Sequence, residues 1–150
     1  MPQSLCKNYI HLVFSTKERK DLIPVDLLEG FFHYIGGVVN GIGCKAIIVG
    51  GIENHVHILF ELARTMALSN VVNKIKSNSS KWIRHEQGVF DFGWQDGYGA
   101  FSVGQSNVEV VRKYIMDQRE HHQTEEDYQT EFRRYCQIYK INYDERYVWD

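Results

Sequence analysis

Two histidines, a tyrosine and a glutamine are the residues of this chain whose types and spacing could do chemistry. The run Asn54-His55-Val56-His57-Ile58-Leu59-Phe60 is rich in β-formers, and in an extended strand residues two apart point to the same face. His55 and His57 could then hold one ion between them while Val56, Ile58 and Phe60 pack into a core. Farther along, Arg112-Lys113-Tyr114-Ile115-Met116-Asp117-Gln118 reads as helix, where residues four apart lie one above the other. Tyr114 and Gln118 then share a face. Two imidazoles, an amide oxygen and a phenol make a metal site with a nucleophile beside it. His121 and His122, one turn past Gln118, and Asp117, a harder oxygen donor, compete as ligands, and spacing does not choose among them. Each feature has a plainer explanation when taken alone. Histidines are frequent metal ligands but often merely pack, and a tyrosine near valines is usually core.

The elements that must position these groups follow from periodicity. Residues 9–16 form a first strand, and Lys17-Glu18-Arg19-Lys20-Asp21 a charged loop. Pro24 suits the first turn of a helix, in which Leu28, Phe31, Ile35 and Val38 recur at helical spacing up to Asn40-Gly41. Cys44 to Val49 is a second strand, Gly50 to Asn54 a turn, and His55 to Leu62 a third strand, close enough for a hairpin. A second amphipathic helix runs from Leu68 to about His85, with Leu68, Val71, Val72, Ile75, Trp82 and Ile83 on its apolar side. A glycine- and aromatic-rich stretch, 90–100, leads into a short strand over Tyr98 to Val103. The last helix starts at Ser106, where Ser106-Asn107-Val108-Glu109 has the form of a capping box, and Val108, Val111 and Ile115 line its apolar side. The order β-α-β-β-α-β with a further helix predicts an α+β fold: the ferredoxin-like split β-α-β, an antiparallel sheet with helices on one face plus a C-terminal tyrosine-bearing helix.

The 150 residues, with 43% hydrophobic and 24% charged side chains, fit one domain over residues 1–150 with a sizeable core. No apolar run approaches the roughly 18 residues of a membrane span, and the N-terminus lacks a signal-peptide pattern, so a cytoplasmic protein is expected. Cys6, Cys44 and Cys136 are scattered and odd in number, which argues against a disulfide framework or a thiolate zinc site. The net charge of −2 is uneven. Residues 1–116 hold 12 Lys and Arg against 10 Asp and Glu, whereas residues 117–150 hold 5 against 9. The acidic tail over about 124–150 carries no motif. Residues 70–84 contain Lys74, Lys76, Lys81 and Arg84 and no acid. Local field matters more than net charge for phosphate binding, so this helix face is either a solvated surface or a phosphate-contact surface.

Taken together, these stretches resemble the insertion-sequence 200/605 family of transposases, single-tyrosine members of the HUH superfamily named for a His-hydrophobe-His motif. The resemblance covers roughly residues 8–123. It is carried by residues 9–17 (YIHLVFSTK), Gly50-Gly51-Ile52-Glu53-Asn54-His55-Val56-His57, residues 71–80 (VVNKIKSNSS), Phe101-Ser102-Val103-Gly104, and Val111 to Gln118. Their common order is more specific than any one of them. Asn54 departs from the pattern, since many members carry Asp there.

The resemblance implies that His55, His57 and Gln118 bind one divalent cation and that Tyr114 is the nucleophile. It implies cleavage and rejoining of single-stranded DNA at hairpin-bearing transposon ends through a 5′-phosphotyrosine. It also implies a homodimer in which the tyrosine helix of one subunit completes the other's site, with Gly104-Gln105-Ser106 as the hinge. The physical logic agrees. A phenol with a pKa of about 10 attacks poorly at neutral pH, and a phosphodiester repels an anionic nucleophile unless a Lewis acid withdraws its charge. A covalent tyrosyl-phosphate keeps the energy of the broken bond, so a 3′-hydroxyl can rejoin the strand. Imidazole with oxygen favours Mn²⁺ by ligand softness, while cellular supply favours Mg²⁺. Lys17, Arg19, Lys20, Lys74, Lys81 and Arg84 are the expected DNA contacts. Two other functions fit the same residues: a domesticated hairpin-DNA-binding protein without mobilising activity, and a metal-dependent phosphodiesterase using an activated water.

Overall fold

Alternation along the strands decides the architecture of this computed structural model, which describes residues 2–124 and 126–150. Four strands, β1 (Tyr9–Ser15), β2 (Lys45–Ile52), β3 (His55–Glu61) and β4 (Gly99–Val103), form one sheet in the order β2-β3-β1-β4. Every pairing is antiparallel. The helices α1 (Leu28–Gly41) and α2 (Leu68–Lys81) lie on one face. The expected split β-α-β arrangement is therefore present. Leu12, Phe14, Val56, Ile58 and Phe60 point to that face and meet Phe31, Ile35, Val71 and Ile75 in the main core. Val39 rather than the expected Val38 is the fully buried residue at the end of α1.

The opposite face is covered by α3 (Val108–Met116), α4 (Gln118–Thr124) and α5 (Tyr128–Ile138). Two small apolar clusters hold it. Leu59, Val103, Val108 and Ile115 seat α3, and Val13, Phe101, Phe132 and Cys136 seat α5. Between these clusters the sheet presents His11, Ser15, His55 and His57, all buried. The fold thus leaves a polar seam between two apolar flanks.

Three local expectations change. The turn between β2 and β3 is only Glu53-Asn54, because Ile52 still pairs with His55. Gly50 and Gly51 belong to the strand, for steric reasons. A Cβ on Gly50 would lie 2.6 Å from the Ile115 carbonyl oxygen, and Gly51 has φ 147° with the His55 carbonyl beside it. Gly50 is what lets the tyrosine helix settle on the sheet, whereas Gly51 answers the positive φ and the adjacent strand. The capping box at Ser106 does not form. A 3₁₀ turn over Gln105–Asn107 precedes α3 and takes Ser106 out of the cap position, Asn107 makes no side-chain cap, and Glu109 pairs with Arg112 instead. Tyr114 and Gln118 also do not share one helix: α3 ends at Met116, and Gln118 opens α4 after Asp117. All three cysteines are free thiols. Among the described residues, no helix is long and apolar enough to cross a membrane.

Candidate metal centre and nucleophile

His55 and His57 reach the seam because β3 is central and alternates, with neither side chain exposed to solvent. Each ring is oriented by a polar neighbour. The Asn54 Oδ1 lies 2.8 Å from His55 Nδ1, and His11 Nε2 lies 2.7 Å from His57 Nδ1. An amide oxygen only accepts, so it places a proton on His55 Nδ1 and leaves the Nε2 lone pair facing inward. That lone pair faces the Gln118 Oε1 at 3.0 Å. The Gln118 amide is in turn fixed by its Nε2 donating to the Glu131 Oε2 at 3.2 Å. Two lone pairs at such a distance repel unless a proton or a cation lies between them. Burial is the main cause, with the neighbouring His57 adding to it, that pushes His55 down to about 3. The ring is thus kept neutral. These donors fit a divalent cation.

Two further groups join this pair. Glu131 of α5, almost fully buried, places Oε1 2.9 Å from His57 Nε2 and 3.6 Å from His55 Nε2. His122 of α4 stands 3.0 Å from the Gln118 Oε1 and 3.3 Å from the Glu131 Oε2. The ligand atoms of His55, His57, His122 and Glu131 all lie within 4.8 Å of one another, a His/Glu cluster able to coordinate a divalent metal. Burial alone would raise the Glu131 carboxyl, but the neighbouring His57 and hydrogen bonds from His122 and His57 pull it well below the usual carboxylate range. It is held as an anion.

Tyr114, at the end of α3, completes the constellation. Its hydroxyl donates to the Glu131 Oε2, receives a hydrogen bond from Arg134 at 3.0 Å, and lies 3.2 Å from His121 Nε2. Burial, and then the Glu131 charge, push the phenol above its ordinary value, with the Arg134 guanidinium opposing them. One carboxylate therefore touches both the histidine pair and the phenol.

The residues singled out in the sequence divide accordingly. The fold brings His55, His57, Gln118 and Tyr114 together, with His122 joining the cluster and His121 facing the phenol. Asp117 is exposed. Lys17 and Lys20 are exposed and Arg19 half-buried, on a turn just past the end of β1. Lys74, Lys81 and Arg84 are exposed on α2 and the turn after it, across the sheet from the histidines. Glu131 and Arg134 lie in the segment that carried no motif. Only the helix that carries them is signalled, by a repeat in which Tyr128, Phe132 and Cys136 recur every four residues and bury one side of α5. A cleft of about 1200 Å³ lies along α1 and β2 and holds none of this chemistry.

A family model described as "Transposase IS200 like" matches residues 4–118. A transposase candidate from Deinococcus radiodurans R1 shares the fold with a TM-score of 0.60 at 17% identity, over 79% of this chain and 98% of that one. A REP-associated tyrosine transposase bound to a REP hairpin aligns with a TM-score of 0.56 at 14% identity, over 78% of this chain and 70% of the other. A comparison with curated protein sequences gives no match. At such identities the two solved structures speak for the fold alone, and α5 lies beyond the family match.

Proposed function

This chain belongs to the IS200-like transposases, single-tyrosine enzymes of the HUH superfamily that act on single-stranded DNA through a phosphotyrosine, and from that premise we propose roles for its residues. Tyr114 is the nucleophile. His55, His57 and Gln118 hold the divalent ion, with Glu131 as the neighbouring carboxylate ligand. The observation that carries this reading is the shared carboxylate: Glu131 contacts the histidine pair with one oxygen and the Tyr114 hydroxyl with the other. Glu131 is placed to accept the phenol proton as Tyr114 attacks phosphorus, and Arg134 to stabilise the developing phenolate. Arg134 must offset a real cost, because burial and the Glu131 charge hold the phenol protonated and Glu131 itself is held well below the usual carboxylate range. A divalent ion bound at this cluster supplies Lewis-acid polarisation of a phosphate oxygen. Mn²⁺ suits the imidazole and carboxylate donors by softness, and Mg²⁺ by supply.

The finer features rest on the family and on its relatives. A hairpin partner is supported by the likeness to a transposase bound to a REP hairpin. Lys74, Lys81 and Arg84 offer an acid-free basic face for its phosphates, while Lys17, Arg19 and Lys20 flank the single strand near the histidines. A homodimer that exchanges tyrosine helices would swing about Gly104 and the turn Gln105–Asn107. The work is done in the cytoplasm, where the DNA of its element lies.

Incubation with the DNA flanking its own gene and Mn²⁺ or Mg²⁺, followed by a denaturing gel, tests the reading. The wild type forms a covalent adduct and Tyr114→Phe forms none, although it still binds the DNA. An adduct on Tyr114→Phe would falsify the assignment. Turnover of phosphodiester by that variant without any adduct points instead to an activated water. Mixing Tyr114→Phe with His57→Ala chains settles the exchange, because an adduct appears on the His57→Ala chain only if the tyrosine acts in trans.

A further inference from the structure

The Tyr114 hydroxyl borders a second group of donors, most of them outside the metal centre. His121 of α4 places its Nε2 3.2 Å from that hydroxyl, 2.8 Å from the Glu126 Oε1 and 3.4 Å from the Glu131 Oε2. The ligand atoms of His121, Glu126 and Glu131 all lie within 4.8 Å of one another. Donors that each stand about 2.1 Å from one ion are about 3–4 Å apart in octahedral or tetrahedral geometry, so this spacing fits a single cation. Solvent hardly reaches the group, since the His121, Glu126 and Glu131 side chains are 9%, 13% and 1% exposed.

Glu131 belongs to both groups. Its Oε1 faces His57, and its Oε2 faces His121 and Tyr114. His121 and His122, neighbours on α4, divide between the two. A carboxylate shared in this way bridges two ions, and two-metal sites of phosphoryl transfer hold theirs about 3.5–4 Å apart, one of them on the attacking oxygen. Charge is balanced unevenly. Glu126, Glu131 and a Tyr114 phenolate are anionic, while the Arg134 guanidinium lies 2.7 Å from the Glu126 Oε1 and 3.0 Å from the Tyr114 hydroxyl. Arg134 is also 40% exposed, so it can yield to a cation by turning towards water.

We propose that His121, Glu126 and Glu131 form a second divalent-cation site, whose ion takes the Tyr114 oxygen as a further ligand. The inference rests on the transposase reading and deepens it. As the ion binds, the Tyr114 hydroxyl loses its proton to water and the phenolate oxygen bonds to the metal, one of the ways a weak nucleophile is activated. His121 binds through Nε2 and carries its ring proton on Nδ1. With this ion in place Glu131 serves as the bridge rather than as the proton acceptor. The ion, not Arg134 alone, then offsets the cost of a phenolate beside a buried carboxylate. The second ion binds more weakly than the first, because the first ion and Arg134 both repel it.

The test is Mn²⁺ titration of the full, metal-free chain, with electron paramagnetic resonance counting the ions bound. The wild type takes up two per chain, the second at higher Mn²⁺, and the pair gives the spin-coupled spectrum of bridged neighbours. Glu126→Gln and His121→Ala, each shown to be folded by circular dichroism, bind one ion and show no coupling. A near-ultraviolet tyrosinate band grows with the second equivalent in the wild type and is missing from Tyr114→Phe. A wild type that binds a single ion overturns the site, and so does a second ion that brings neither coupling nor tyrosinate. Folded Glu126→Gln and His121→Ala chains that both still bind two ions overturn it as well. The wild-type count and spectrum stand even where a variant fails to fold. None of these results touches the Tyr114 adduct assay, by which the transposase reading stands or falls.

Discussion

The two faces of the sheet are made by the same strands and differ by one residue of register. On β3, Val56, Ile58 and Phe60 enter the main core, while His55 and His57 enter the seam. On β1, Leu12 and Phe14 face one way and His11, Val13 and Ser15 the other. The apolar face needs only volume and shape, and α1 and α2 supply both. The seam needs partners for every polar atom, and no described buried side-chain nitrogen or oxygen lacks one. Helices on that face are seated on two small apolar clusters, with glycines where backbones approach closely: Gly50 beneath α3, and Gly99, where a Cβ would lie 2.7 Å from the Phe132 ring. One face stores stability. The other places charge.

That contrast can be broken in order of effect. Tyr114→Phe should remove the covalent adduct entirely while the melting temperature stays near wild type, since the ring and its packing remain. A large loss of stability in that variant would mean that the seam, too, holds the fold. Ile58→Ala, one residue from His57 but on the other face, should cost about 2–5 kcal/mol of unfolding free energy in a urea titration. The adduct formed per folded molecule should be retained. Mn²⁺ at a hundredfold excess over its dissociation constant should then stabilise the wild type by about 2.7 kcal/mol. His57→Ala should lose that increment, which calorimetric melting reads directly.

Acid should also discriminate between the faces. Unfolded His55 takes up its proton near 6.5 but the folded ring only near 3. Stability of the metal-free chain therefore falls as pH drops below 6.5, by on the order of 2 kcal/mol between pH 6.5 and 5 from this group. Burial lowers His11 as well and adds to the loss, whereas His122, raised by hydrogen bonding to Glu131, opposes it. A melting temperature independent of pH over that interval would contradict a neutral His55. The smallest effect belongs to the exposed basic face. Lys81→Ala should weaken hairpin-DNA binding a few-fold, reducing the salt slope by about 1, with no change in stability.

Much of this was legible in the chain because periodicity is local. The alternation around His55 and His57, the apolar stripes of α1 and α2, and the β-α-β-β-α-β order all follow from spacings of two to four residues. The capping box failed because a cap depends on where a helix starts, and the 3₁₀ turn before α3 moved that start past Ser106. The glycines at 50 and 51 looked like a turn, yet close approach of a distant helix constrains Gly50, and a positive φ against the neighbouring strand constrains Gly51. The break at Asp117 was equally invisible. Tyr114 and Gln118 reach the same cluster from two helices rather than one.

By itself, then, the sequence determined the histidine pair, the tyrosine and the sheet that carries them, since strand alternation and motif order are properties of neighbours along the chain. Only the tertiary structure decided that Glu131 and Arg134 join them. The tail after Gln123 is acidic and carries no motif, and nothing local distinguishes Glu131 from the other carboxylates there. It becomes a buried anion between the histidine pair and the Tyr114 hydroxyl only because Phe132 and Cys136 pack α5 onto the sheet. That contact spans 74 residues between His57 and Glu131, a separation over which no local spacing carries information.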